Sequence, residues 1–311
     1  MLPATDDDLH HLHTLRDLIR WGASRMNEAG VFFGHGTANA IDEAAALVLH
    51  VLHLPPDLHG DWMQAALTPG EKRAAAELVE RRVRERRPAA YLTRQAWFMG
   101  LSFYVDERVL VPRSPMAELI ESLFSPWLVN PDAVADILDL GTGSGCIGIA
   151  CAYMFPEARV DLTDISPAAL EVARRNVVEH GLEDRVEVLH SDLFAALQGR
   201  QYDLIVSNPP YVSRLEMARL PEEYRHEPAI GLAAGDKGLD VVVRILRQAA
   251  DYLTDDGVLV LEVGATRQAL EAAYPEAPFL WLHLERGGEG ILHITARQLR
   301  ECRALFAPVR E

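Results

Sequence analysis

Apolar positions in the first ninety residues recur at helical spacing. Leu9, Leu12, Leu15, Leu18 and Ile19 fall on one face, and Ile41 to Leu54 repeats the habit until Pro55-Pro56 stops it. Thr68-Pro69-Gly70-Glu71 has the signature of a helix start: a capping threonine, a proline at the first helical position and a glutamate three residues on. That helix is expected to run through Arg87 and to end before Pro88. The period then changes. Residues 97–111 are rich in aromatic and β-branched side chains, which predicts a β-hairpin with Asp106-Glu107 in its turn and Pro112-Arg113-Ser114-Pro115 at its close. From Met116 onward, strand and helix alternate. Ile137 to Leu140, Val160 to Thr163, Val186 to His190, Leu204 to Ser207, Val258 to Val263 and Ile291 to Thr295 read as strands. An apolar helix to Phe155 follows the first strand, and Ser166-Pro167-Ala168 opens another helix, through His180, after the second. Repeated βα units predict an α/β fold, a mostly parallel sheet covered by helices on both faces. Three regions result: helical over 1–90, hairpin linker over 91–115 and α/β over 116–311.

Length and charge narrow the function classes. A chain of 311 residues suits two domains, and 49% hydrophobic residues suffice for a sizeable core. Lys and Arg number 30 against 46 Asp and Glu, a net charge of −16. That excess argues against wrapping a nucleic-acid backbone, which needs clustered Lys and Arg. It suits a basic partner and is equally ordinary for a soluble enzyme. Cys146, Cys151 and Cys302 make no disulfide framework and no C-x-x-C pair, so a reducing compartment and no metal are expected. The start, MLPATDDDLHHLH, is acidic where a secretory signal would be basic, and the most apolar window, Ile137 to Phe155, contains Asp139 and four glycines. A cytoplasmic protein without a membrane span is expected.

Candidate chemistry begins at Asp139-Leu140-Gly141-Thr142-Gly143-Ser144-Gly145, where a strand meets a helix. Glycines there let a ligand approach the backbone at the carboxyl edge of the sheet. Gly143, Gly145 and Gly148 also fit the dinucleotide spacing G-x-G-x-x-G. Gly148, however, falls inside the apolar helix, and Asp139 at the strand end repels a pyrophosphate while suiting a cation. S-adenosylmethionine has a sulfonium, an ammonium and no phosphate. Asp164, 25 residues after Asp139, can accept hydrogen bonds from both hydroxyls of a ribose, and Asp192 can face an adenine amino group. Each acid alone reads as a helix cap; three after three consecutive strands do not.

Asn208-Pro209-Pro210-Tyr211 ends a fourth strand. The tandem prolines stiffen the turn and leave carbonyls free to accept. The side-chain carbonyl of Asn208 and the backbone carbonyl of Pro209 can hold both hydrogens of a planar NH₂, aim its nitrogen and stabilise the positive charge that grows there. Tyr211 can stack on the planar group. An adenine amino group and an amide both satisfy this geometry. The acidic charge, the absence of a large basic domain and the cost of flipping a base favour the amide.

The DLGTGSG run, Asp164 and Asn208 to Tyr211 resemble the Rossmann-like class I S-adenosylmethionine-dependent methyltransferases that modify amide or exocyclic amino nitrogens. Over nearly the whole chain, Pro88-Ala89-Ala90-Tyr91-Leu92, the Phe98 to Val111 hairpin, Pro112-Arg113 and Glu227-Pro228 are similar to the HemK-like protein glutamine methyltransferases. That family has a helical substrate-recognition domain, a hairpin linker and a catalytic domain whose mostly parallel sheet carries an antiparallel edge strand. The resemblance implies methyl transfer from S-adenosylmethionine to a glutamine side-chain nitrogen. It implies Asn208, Pro209 and Tyr211 as catalytic groups. Asp139, Gly141, Thr142, Gly143, Gly145, Asp164, Asp192, Leu193 and Asn208 are implied to hold the cofactor, and Asn208, Pro209, Pro210, Tyr211 and Glu227 the substrate.

Two bacterial branches act on release factors or on the basic large-subunit ribosomal protein L-three. Pro112-Arg113-Ser114-Pro115-Met116-Ala117-Glu118 departs from the Pro-Arg-Pro-acid-Thr-Glu run of the release-factor branch. Gly34-His35-Gly36-Thr37, Ala96 to Gly100 and Glu223 to Pro228 resemble the ribosomal-protein branch, and Leu193 stands where release-factor enzymes tend to place an aromatic over adenine. The implied partner is the ribosomal protein, free or in an assembly intermediate, with neither DNA nor a membrane. A release factor, an adenine N6 in nucleic acid and a non-catalytic role in ribosome assembly are the alternatives. Arg81 to Arg87, interleaved with Glu80 and Glu85, reads as a solvated helix face or an RNA contact. Cys146 and Cys151 read as packed thiols, His35 as a turn residue, and Glu262-Val263-Gly264 as closing the cofactor pocket.

Overall fold

The computed structural model describes residues 9–58 and 60–307; the first eight residues of the acidic amino terminus lie outside them. The chain divides into two units, and the division is not a simple cut. The helical unit runs to Ala96 and also takes Val105–Glu107 and Pro221–His226.

Helices α1 (Leu15–Glu28), α2 (Ala40–Val51) and α3 (Pro69–Glu85) build the helical unit. Thr14 and Thr68 form capping boxes with Asp17 and Glu71, and the Asn39 side chain accepts from the N–H groups of Ile41 and Asp42. Such caps contribute about 1 kcal/mol each. Leu15, Leu18 and Met26 of α1, Leu47 and Val48 of α2, and Ala75 and Val79 of α3 share one core. A Cβ on Gly22 would lie 3.2 Å from Val79 and 3.4 Å from Ala44, so glycine lets α1 sit close to both neighbours.

The Arg81 to Arg87 run is not the uniformly solvated face its pattern suggests. Arg82 is wholly buried, donating from Nε to Glu43 Oε1 at 2.6 Å and from Nη2 to the Phe32 carbonyl at 2.9 Å, with Nη1 3.5 Å from Glu223 Oε1. Glu223, also buried, accepts the Phe32 N–H at 3.0 Å, which fastens Pro221–His226 to the helical unit. Arg86 adopts a left-handed conformation, with φ of 54°, and ends α3 before Arg87; it donates to the carbonyls of Ala29 and Gly30. Arg81 and Arg84 stay at the surface beside Glu85.

Strands β1 (Gln95–Phe98) and β2 (Leu101–Tyr104) pair as the expected hairpin. Its turn is Met99-Gly100, with φ of 50° and 73°, the two left-handed positions that a two-residue hairpin turn requires. The expected turn at Asp106-Glu107 is thereby corrected. Glu107 is held instead by Arg87 at 2.6 Å and Arg94 at 2.9 Å within the helical unit.

The α/β unit carries β3 (Asp136–Leu140), β4 (Arg159–Asp164), β5 (Val186–His190), β6 (Tyr202–Ser207), β7 (Leu253–Glu262), β8 (Leu280–Trp281) and β9 (Ile291–Thr295) in one sheet, ordered β5-β4-β3-β6-β7-β9-β8. The first five in that order run parallel; β9 is antiparallel to β7, and β8 to β9. The antiparallel edge therefore has two strands, the outer one too short to leave a period in the sequence. Helix α4 (Cys146–Met154) follows β3, and α5 (Pro167–Glu179), capped by Ser166, follows β4. Apolar residues of β3, β6 and β7, such as Leu138, Ile205 and Leu259, pack with Val242 and Ile245 of α6 (Asp240–Gln248). Leu140 pairs with Thr163 on one side and Ser207 on the other, so the chain order reverses between β3 and β6. That switch point is where open α/β sheets bind ligands. Among the described residues no helix is long and apolar enough to cross a membrane.

Candidate active site

Five adjacent strands end in polar groups at one edge of the sheet. In spatial order β5, β4, β3, β6 and β7 lead to Asp192, Asp164, the Asp139 to Gly145 turn, Asn208 and Glu262. At about 4.8 Å per strand this row is about 19 Å wide.

The glycine turn is built for backbone shape and access. Gly141 and Gly143 have φ of 70° and 55°, and a Cβ on either would meet nothing within 4 Å. Open space therefore lies above both. The N–H groups of Gly141 and Thr142 donate to the Thr163 carbonyl at 2.8 and 2.9 Å, which moors the turn to β4. Gly145, with φ of 85°, begins α4. Gly148 serves packing instead, since a Cβ there would lie 2.1 Å from Leu162 and 3.0 Å from the Asp139 Cβ; its absence allows helix and strand to touch. Of the three glycines in the dinucleotide spacing, Gly143 alone leaves open space; a Cβ on Gly145 would lie 3.2 Å from Ile149 and 3.3 Å from Leu162, so Gly145 and Gly148 both serve packing.

Asp139 is 1% exposed. Its Oδ2 accepts from Thr142 Oγ1 at 2.6 Å and the Gly148 N–H at 2.9 Å, while buried Oδ1 has no hydrogen-bond partner. Burial pushes its pKa up to about 6. Asp164 is half-buried, and burial raises its pKa too; Oδ2 accepts from Gly143 N–H at 3.0 Å and Oδ1 from Ser166 N–H at 2.8 Å. Each oxygen keeps a second lone pair for a hydroxyl. Asp192 is exposed and pairs with Arg244 at 2.8 Å. Leu193, left-handed at φ 51°, is partly buried against the core, its carbonyl accepting from Ser191 Oγ at 2.6 Å.

On β6, Ser207 Oγ donates to the Leu140 carbonyl at 2.7 Å, locking the ends of the two switch-point strands together. Asn208 follows half-buried, then Pro209 buried and Pro210 half-buried. The Tyr211 ring lies against Gly264, where a Cβ would come within 2.6 Å of Cε2. Its hydroxyl donates to Glu262 Oε1 at 3.2 Å. Glu262 is 4% exposed and also accepts from Ser114 Oγ at 2.5 Å; burial pushes its pKa up to about 7 against these hydrogen bonds and the charge of Arg113.

With this geometry in view, residues 17–93 match the family described as PrmC N-terminal domain, and residues 122–221 match Methyltransferase small domain. A ribosomal protein uL3 glutamine methyltransferase of Bordetella pertussis is 51% identical over 294 residues, 94% of this chain and 99% of that one. Its counterpart in Neisseria meningitidis serogroup B is 50% identical over 287 residues, 92% of this chain and 94% of that one. The chain belongs to the ribosomal protein uL3 glutamine methyltransferase family. The hMettl16 catalytic domain in complex with MAT2A 3′UTR hairpin 6 aligns with a TM-score of 0.51 and 16% identity over 80% of this chain and 92% of that one, which bears on fold alone.

In this uL3-methyltransferase relative, Glu227, expected at the substrate, is engaged with the chain itself. It is 5% exposed, accepts from Arg113 Nη1 at 2.5 Å and Nη2 at 2.6 Å, and takes the Val111 N–H at 3.0 Å. Both oxygens serve to hold the segment after the hairpin. The methyltransferase also uses residues with no sequence motif. Buried Asn176 accepts from the Tyr104 N–H at 2.8 Å and donates to the Tyr104 and Ser144 carbonyls at 3.1 and 2.8 Å, tying the hairpin end to the glycine turn. Glu262 left one signal, being a further acid at the end of a strand.

Proposed function

We propose that this enzyme transfers a methyl group from S-adenosylmethionine to the side-chain amide nitrogen of a glutamine in ribosomal protein uL3, in the cytoplasm. One observation carries the reading: the glycine turn and the Asn-Pro-Pro-Tyr turn end neighbouring strands at the switch point. The residues fit the cofactor. Gly141 and Gly143 leave open space, Asp164 keeps lone pairs for ribose hydroxyls, and the orphaned Asp139 Oδ1 gains from a nearby cation. Thr142 and Gly145 hold the turn, while Asp192 and Leu193 stand at the end of the row that suits an adenine. When bound, the cofactor supplies an electrophilic methyl group on a sulfonium.

The chain's own part is orientation and electrostatics. The Asn208 side-chain carbonyl and the Pro209 carbonyl accept the two amide hydrogens, so the nitrogen faces the crevice over β3. As the new carbon–nitrogen bond forms, those acceptors stabilise the positive charge on nitrogen, an effect worth roughly 10²–10³ in rate. The N-methylated, protonated amide is strongly acidic and loses its proton without a strong base. A net charge of −16 suits a basic ribosomal protein and steers its approach. Incubation of uL3 with methyl-labelled cofactor tests the reading. Label is expected on wild-type uL3 and absent from the variant in which the modified glutamine is alanine; label that survives the substitution overturns the glutamine assignment.

A further inference from the structure

Glu262 ends β7 next to the strand that bears Asn208, and Leu261 pairs with Ser207, so the carboxylate stands beside the amide-gripping turn. Both of its hydrogen-bond partners are neutral hydroxyls, Tyr211 Oη and Ser114 Oγ. The neighbouring cation, Arg113, is engaged in its fork with Glu227, and on β9 the facing residue is uncharged Ile291. A carboxylate sealed from water with hydroxyl donors alone is costly to ionise, and such groups concentrate at functional sites. The Tyr211 ring occupies a seat that only glycine at 264 leaves open. With the ring seated and its hydroxyl anchored, the Asn208 to Tyr211 turn has one orientation.

We propose that ionised Glu262 is a positioning residue for methyl transfer: by accepting the Tyr211 and Ser114 hydroxyls it fixes the Asn-Pro-Pro-Tyr turn at the angle where its two carbonyls grip the substrate amide. The inference rests on the function proposed above and extends it to the Pro112 to Glu118 segment, because Ser114 lies in the run that departs from the release-factor pattern. Ionisation matters because protonated Glu262 donates from one oxygen, so the bond to Ser114 or Tyr211 must reverse and both bonds lose the strength that a charged acceptor gives them. Since burial places this titration at about pH 7, the grip tightens as pH rises through neutrality.

Full-length enzyme carrying ¹³Cζ-tyrosine tests this, with the Tyr211 resonance identified by its loss in Tyr211→Phe. The resonance is expected to shift with a midpoint near pH 7 in the wild type and to stay flat in Glu262→Gln. In turnover, Glu262→Gln should lower kcat roughly ten- to a hundredfold and abolish its rise with pH, leaving cofactor KM almost unchanged. Tyr211→Phe should give a similar loss, and the double variant no further one. A Tyr211 resonance that titrates identically in Glu262→Gln, or a variant that keeps kcat and its pH rise, overturns the inference. Wild-type enzyme that leaves glutamine unmethylated refutes the proposed function instead, and the resonance still decides whether Glu262 holds Tyr211.

Discussion

In the helical unit, Glu43 and Glu223 are sealed from water against the guanidinium of Arg82, and Thr37 Oγ1 donates to the second Glu43 oxygen at 2.6 Å. In the α/β unit, Asp139 and Glu262 are sealed just as completely. Their donors, however, are Thr142 Oγ1, the Gly148 N–H, Ser114 Oγ and Tyr211 Oη. The first arrangement compensates charge with charge and fastens a distant segment of chain to three helices. The second holds carboxylates with neutral groups, and burial then lifts their pKa values to about 6 and about 7. Buried acids of equal exposure thus divide into fasteners and responsive groups according to what donates to them.

The largest effect should come from breaking the fastener. Arg82→Met leaves Glu43 buried without a cation and Glu223 with Arg86 Nε at 3.1 Å as its remaining one, and should cost about 3–5 kcal/mol in urea-induced unfolding. Replacing Glu43 and Glu223 by leucine in the same chain should recover much of that loss. A small cost for Arg82→Met alone would mean the cluster does not hold the unit together.

Next comes a pH dependence peculiar to the responsive side. The fold raises the Glu262 pKa from 4.5 to about 7, so the folded chain keeps that proton to higher pH than the unfolded one. The contribution to stability is therefore full below about pH 4.5 and lost as pH rises through 7, a change of about 3 kcal/mol. Glu262→Gln lacks this titration. The stability of the wild type relative to the variant should fall by that amount between pH 4.5 and 8 in parallel urea titrations. A constant difference would remove Glu262 from the responsive class. The smallest effect belongs to Arg84, two residues from Arg82 but exposed: Arg84→Ala should change stability by less than about 0.5 kcal/mol.

What could be read from sequence was what short stretches encode by themselves. Thr68 and Ser166 cap their helices, β5 and β9 have the expected limits, and the glycine turn and Asn208 each follow the end of a strand of one sheet. Misreadings arose where a distant partner decides. Asp106-Glu107 has the composition of a turn, yet Arg87 and Arg94 hold Glu107, while Met99-Gly100 turns the chain despite its apolar methionine. Arg82 and Glu223 are 141 residues apart and Arg113 and Glu227 are 114, so no local pattern reveals these pairs or separates Arg82 from a solvated arginine.

The central claim is that the Asn208 turn delivers a methyl group to an amide nitrogen. Tandem mass spectrometry of uL3 after reaction with wild-type enzyme and with Asn208→Ala tests it most directly. One glutamine should carry a single methyl on its side-chain nitrogen after wild-type treatment, with loss of nearly all modification in the variant. A methyl on another residue type, or equal modification by Asn208→Ala, would contradict the account.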